Sequence, residues 1–169
     1  MNDNFFPSNS FEIKNSKGFF QKLRDEYRDL NKEHINPRFA INCAITSWHL
    51  TDWTYQEFYK SDLRFQDSKE NGKTISGLVK FQEYLKTSCP ELEYMRMITN
   101  GSKHCKIDQK HKTVTSTGDF SPYDFSRNDF TVPRFVIINE IGEEIDFEEL
   151  LVTTISFWED LLIKLIKTA

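Results

Sequence analysis

Two short segments of the chain carry residues whose types and spacing suit chemistry. The first is Trp48-His49-Leu50-Thr51-Asp52-Trp53. A histidine and an aspartate three residues apart are side-chain neighbours on a helix, able to pass a proton or to supply two metal ligands. A carboxylate set among apolar residues has to be paired, hydrogen-bonded or neutral, because burying it alone is costly. Architecture therefore explains the pair as readily as catalysis: Asp52 bonded to His49, to an indole N–H or to a facing cation would fix helix register. The second segment is Arg96-Met97-Ile98-Thr99-Asn100-Gly101-Ser102-Lys103-His104. Arg96 and Asn100 are four apart and share a helical face. An arginine, a lysine and a titratable imidazole near a helix end suit the holding of a phosphate and the transfer of a proton. The same basic groups also answer the dipole of a helix C-terminus. Arg96 and His104 are thus the catalytic candidates, Asn100 and Lys103 the substrate-binding ones, and His49 and Asp52 structural or acid–base groups. A third arrangement draws on both segments: His49, Asp52 and His104 form a two-histidine, one-carboxylate metal set if the fourth helix ends beside the second. Nothing has the tight spacing of an HExxH helix, so no metal or other cofactor is expected.

The elements that must position these residues are mainly helical. A first helix is predicted over about 16–33, with Phe20, Leu23, Tyr27 and Leu30 along one face. Asn36-Pro37 opens a second over about 37–60. At about 100° per residue, its Ile41, Ile45, Trp48, Asp52, Tyr55 and Tyr59 fall in one stripe, with Phe39, Cys43, Leu50 and Trp53 near the opposite side. A helix apolar on two faces packs on both, which makes this the central helix of a bundle and puts Asp52 inside a packing stripe. Residues 61–74 read as a polar surface loop. A third helix follows over about 75–87, with Leu78, Phe81, Gln82 and Leu85 inward, and a fourth is expected from a capping box at Ser88 and Glu91. Asn100-Gly101 is expected to stop that helix and turn Lys103 and His104 back toward the bundle. The pattern then changes to short strands: Val114-Thr115, a strong run Val132 to Ile138, and a turn over Asn139 to Glu144. Asp146, with Glu149 three residues on, starts the last helix. The fold class expected is mainly α: about five helices, with a small antiparallel hairpin or sheet inserted over about 104–145 before the C-terminal helix. Residues 1–15 are expected to be irregular and 16–169 to form one domain.

Bulk composition excludes several classes. At 169 residues, with 15 Phe, 6 Tyr and 3 Trp, the chain can fill a core without disulfides. A formal charge of −4 argues against a general polyanion-binding surface, though not against a local RNA site. No apolar run is long enough for a membrane span, and the start lacks the features of a secretory signal, so a cytoplasmic protein without membrane contact is expected. Cys43, Cys89 and Cys105 form no CxxC pair and read as reduced thiols. GxGxxG, GxxxxGK[ST] and GxSxG are absent; Asn71-Gly72-Lys73-Thr74 lacks the first glycine and the preceding strand of a phosphate loop.

The Trp48-to-Trp53 helix followed by Asn100-Gly101-Ser102-Lys103-His104 looks like a family of uncharacterised bacterial proteins with a tryptophan–histidine helix, an Asn-Gly-x-Lys-His turn, a β-rich stretch and a terminal helix. The resemblance covers most of residues 17–168. More distantly, a helical bundle with an arginine and a histidine at one helix end resembles the HEPN superfamily (higher eukaryotes and prokaryotes nucleotide-binding). Many of its members are metal-independent ribonucleases of toxin–antitoxin and phage-defence systems. The spacing here is longer than their motif, with seven residues between Arg96 and His104, and Met97 follows the arginine where a polar residue is common. The resemblance implies an RNA-acting protein in which Arg96, Asn100 and Lys103 hold a phosphate and His104 activates the ribose 2′-hydroxyl. It also implies a site completed by a homodimer. The acidic balance and the aromatic stretch 118–130 support a different expectation: a non-enzymatic antitoxin, immunity or anti-defence factor that binds a protein partner through Phe120, Tyr123, Phe125 and Phe130.

Overall fold

Side-chain caps set the starts of four of the five helices that the structure, a computed structural model, shows over residues 10–103, 112–116 and 133–168. Helix α1 (Ser16–Leu30) begins where the Asn15 side chain accepts from the Gly18 N–H. Helix α2 (Pro37–Thr54) begins where Asn36 accepts from Arg38, with Pro37 already holding a helical φ. Ser76 caps α3 (Gly77–Ser88) by accepting from Val79. Asp146 caps α5 (Phe147–Thr168), its Oδ1 accepting from the N–H groups of Glu148 and Glu149. Helix α4 (Glu91–Lys103) starts differently from the expectation. Ser88 closes α3 and the expected box with Glu91 does not form, because Cys89 is buried as the bend between the helices and the residue before a proline avoids the helical region.

The far end of α4 is a second correction. Asn100-Gly101 does not stop the helix, which runs on through Lys103, and Gly101 is not among the glycines with positive φ. The Thr99 hydroxyl donates back to the Met95 carbonyl at 2.8 Å and the Ser102 hydroxyl to the Thr99 carbonyl at 2.7 Å. A glycine permits the left-handed exit without imposing it, and here the backbone stays helical through Gly101 to Lys103. Lys103 consequently continues the face of Arg96 and Asn100 in place of swinging round on a turn.

The fold is mainly α, as expected, with two small antiparallel sheets. Strands β1 (Ser68–Glu70) and β2 (Lys73–Ile75) form a hairpin inside the stretch read as a loop. Its turn residues Asn71 and Gly72 both take positive φ, 49° and 76°, as a two-residue hairpin requires. A three-stranded sheet is ordered β3 (Lys112–Ser116), β4 (Arg134–Ile138), β5 (Glu144–Asp146). The Asn139 carboxamide closes the β4–β5 turn by accepting from the N–H groups of Ile141 and Glu143.

Helix α2 is the centre of the bundle and packs against all four other helices. Cys43 and Leu50 are sealed on one side of it, Ala44 and Trp48 on another. Leu23 of α1, Phe81 and Leu85 of α3, Leu92 and Met95 of α4, and Leu151 and Trp158 of α5 close around it. The last regular turn of α2 widens into a π-helical segment, Tyr55–Tyr59, followed by a 3-10 turn at Leu63–Phe65. There Tyr55, Tyr59, Phe65 and Phe81 form an aromatic cluster with centroid separations of 4.6 to 5.9 Å. Among the described residues, no helix is long and apolar enough to cross a membrane.

Candidate functional site

His49 and Asp52 lie on one turn of α2, both half-buried, where that helix meets α3 and α4. The tryptophans that flank them are spent on packing: Trp48 is buried, and Trp53 stacks on Phe19 of α1 with centroids 4.8 Å apart. Asp52 makes its direct hydrogen bonds with groups the sequence reading did not name for it. The Thr51 hydroxyl donates to its Oδ1 at 3.2 Å, and the Gln82 amide of α3 donates at 3.1 Å. Gln82 also donates to the Thr51 hydroxyl at 2.9 Å, so the three side chains form a closed ring between the helices.

Burial raises the Asp52 carboxyl above its usual range, against the Thr51 hydrogen bond, the charge of His49, the Gln82 hydrogen bond and the charge of Lys103. Burial likewise lowers the His49 imidazole; Lys103 and Lys22 push it the same way, and Asp52 alone holds it up. Lys103, exposed at the end of α4, therefore belongs to the electrostatic surroundings of both groups. Lys22 approaches from α1, where its ammonium donates to the Thr46 hydroxyl at 2.6 Å and pairs with Glu26 at 3.0 Å. The result is a neutral-leaning imidazole, a carboxyl with raised proton affinity and an exposed cation. That combination can take up and give back a proton beside a negatively charged substrate group.

Arg96 is engaged elsewhere on the same face of α4. Its guanidinium meets the Glu93 carboxylate in a fork, with Nε 2.9 Å from Oε2, and Lys86 of α3 joins the same carboxylate at 3.1 Å. The Arg96 hydrogen bond, aided by Lys86, holds Glu93 below the usual carboxylate range. Glu93 thus occupies the Nε and Nη2 edge of Arg96, the edge that would grip a phosphate in the same forked manner. Asn100 lies between Arg96 and Lys103 on this face and is half-buried. His104 lies outside the described residues, as do Phe120, Tyr123, Phe125 and Phe130 of the expected partner surface. The metal set of His49, Asp52 and His104 therefore has its third member outside them; among the described residues no group of three or more His, Cys, Asp or Glu could hold a metal.

Compared with family models, with curated proteins and with solved structures, the chain matches none. What the site can do thus rests on its own geometry. The sequence reading missed Gln82, Thr51 and Lys22. For Gln82 the signal was present, since it is a polar residue on the apolar stripe of α3. Lys22 gave none: its approach to His49 depends on how α1 crosses α2. Cys43 and Cys89 are buried free thiols, each pushed up to about 12 chiefly by burial, and so do not act as nucleophiles.

Proposed function

We propose that the chain is an HEPN-like bacterial protein of a defence or toxin–antitoxin system, acting on RNA without a metal, with its chemistry at His49, Asp52 and Lys103. The observation that carries this reading is geometric: His49 and Asp52 stand on one turn of α2, half-buried, with Asp52 fixed by hydrogen bonds from Thr51 and from Gln82 of α3. A lowered His49 is mostly unprotonated at neutral pH and can accept the proton of a ribose 2′-hydroxyl. The 2′-oxygen then attacks phosphorus, the bond to the 5′-oxygen breaks, and a 2′,3′-cyclic phosphate remains. Lys103 offsets the negative charge on the phosphoryl oxygens. His104, next in sequence, supplies the acid that protonates the departing 5′-oxygen. Asp52 orients and tunes His49 and is itself held by Gln82 and Thr51. Arg96 offers its forked edge to the phosphate when substrate displaces Glu93.

The test is cleavage of total cellular RNA in the presence of EDTA, with end-group analysis. Cyclic phosphate ends are expected from the wild-type chain. His49→Ala and His104→Ala should each lower the rate by about 100-fold, the usual contribution of a positioned acid–base group. Equal cleavage by wild type and both variants overturns the reading. Intact RNA with wild type overturns it too, and turns attention to the apolar face of α5, where Val152, Ile163 and Ile166 are about half exposed, as the surface of a non-enzymatic binding protein.

A further inference from the structure

A groove lined by no residue of α2 or α4 opens where the C-terminal end of α1, strand β4 and the first turn of α5 meet. Its volume is about 510 Å³, within the range of small-molecule sites. Its apolar walls are Leu30 of α1, Phe135 of β4 and Phe147 of α5, and its polar groups are His34, Arg134, Asp146 and Glu148.

The charges in this groove are not equivalent. Arg134 is spoken for, pairing with Asp146 at 3.0 Å and standing 3.8 Å from Glu144. Asp146 is doubly spoken for, since its other oxygen caps α5. Glu148 differs. The Tyr27 hydroxyl donates to one of its oxygens at 3.2 Å, and the His34 imidazole stands 4.0 Å from the other, too far for a hydrogen bond. Among the described residues, no lysine or arginine forms an ion pair with Glu148, and the start of α5 favours a negative charge at this position. An anionic ligand would find Arg134 already engaged and would face Glu148. A cation would gain a Glu148 oxygen that has no hydrogen-bond partner among the described residues, beside apolar walls.

We propose that this groove binds a small organic ammonium ion, an amine carried on an aromatic or branched apolar body. The amine seats against Glu148, and the body lies along Leu30, Phe135 and Phe147. This site is independent of the RNA reading, and its test uses neither RNA nor the α2–α4 residues.

The experiment is calorimetric or ligand-observed NMR titration of the full chain with tryptamine, phenethylamine and 3-phenylpropionate. Both amines are expected to bind, and the carboxylate, similar in size to phenethylamine, at least about tenfold more weakly, the scale of one charge-assisted hydrogen bond. Glu148→Gln should lower amine affinity by a similar factor. Its fold can be checked by circular dichroism, since Asp146 keeps the helix cap. Equal binding of amine and carboxylate, amine binding unchanged in Glu148→Gln, or no amine binding would each overturn the proposal. The comparison of ligands on wild-type protein needs no variant and stands if Glu148→Gln fails to fold.

Discussion

Phe81 and Gln82 are adjacent on α3 yet meet α2 in opposite ways. Phe81 is fully buried and fills an aromatic cluster with Tyr55, Tyr59 and Phe65. Gln82, one residue on and half-buried, reaches Thr51 and Asp52 with hydrogen bonds. The first contact is held by shape. Gly77, at the start of α3, shows how closely: a Cβ there would sit 1.8 Å from the Phe65 carbonyl oxygen and 2.3 Å from the Tyr55 hydroxyl. The second contact is held by polar groups whose charges can change. A region fixed by packing anchors α3 on α2, and the turn beside it is thereby free to carry titratable groups without supplying the stability of the bundle.

The comparison breaks most readily at Phe81. Phe81→Ala should cost about 3–5 kcal/mol, the usual range for deleting a buried ring, read as a drop in the urea midpoint. A loss under about 1 kcal/mol would mean that the aromatic cluster is not the anchor.

A smaller effect, and one with a sign, is expected at Asp52. Its folded-state value is raised above the ordinary 3.8, so the folded protein binds the proton more tightly than the unfolded chain does. Its contribution is most favourable below 3.8 and is lost as pH rises through the folded-state value. Asp52→Asn removes that dependence, so its stability relative to wild type should improve as pH is raised from acid to neutral. His49, lowered from 6.5, works from the other side: stability is lost as pH falls below 6.5 toward its folded-state value. Unfolding curves at several pH values for wild type and Asp52→Asn check the first sign. A stability of Asp52→Asn that falls relative to wild type on approaching neutral pH would reverse it.

Much of this was legible in the chain. The two-faced periodicity of α2 marked it as central, because a helix can be apolar on two sides only when both are covered. Asp146 and Glu149 marked the start of α5, and His49 and Asp52 stood out as polar groups on a packing helix. The β1–β2 hairpin was less visible. Its strands are three residues long, mostly polar and without alternation, and only Asn71-Gly72 pointed to it. Asn100-Gly101 misled for a different reason. Glycine permits a left-handed exit but does not impose one, and the backbone stays helical through Gly101 to Lys103. The commitment of Arg96 was written in the sequence as Glu93 three residues earlier, an i,i+3 partner on the same helical face. What no local pattern contained was the meeting of Lys22, Lys103 and Gln82 around His49 and Asp52, which depends on how four helices cross.

The claim on which the functional reading depends is that His49, Asp52 and Lys103 form one coupled site. The most direct measurement is the NMR titration of the His49 imidazole in wild type, Asp52→Asn and Lys103→Met. The account predicts a wild-type value below 6.5, a further fall when Asp52 loses its charge, and a rise when Lys103 is removed. A His49 that titrates near its ordinary value and responds to neither substitution would contradict it.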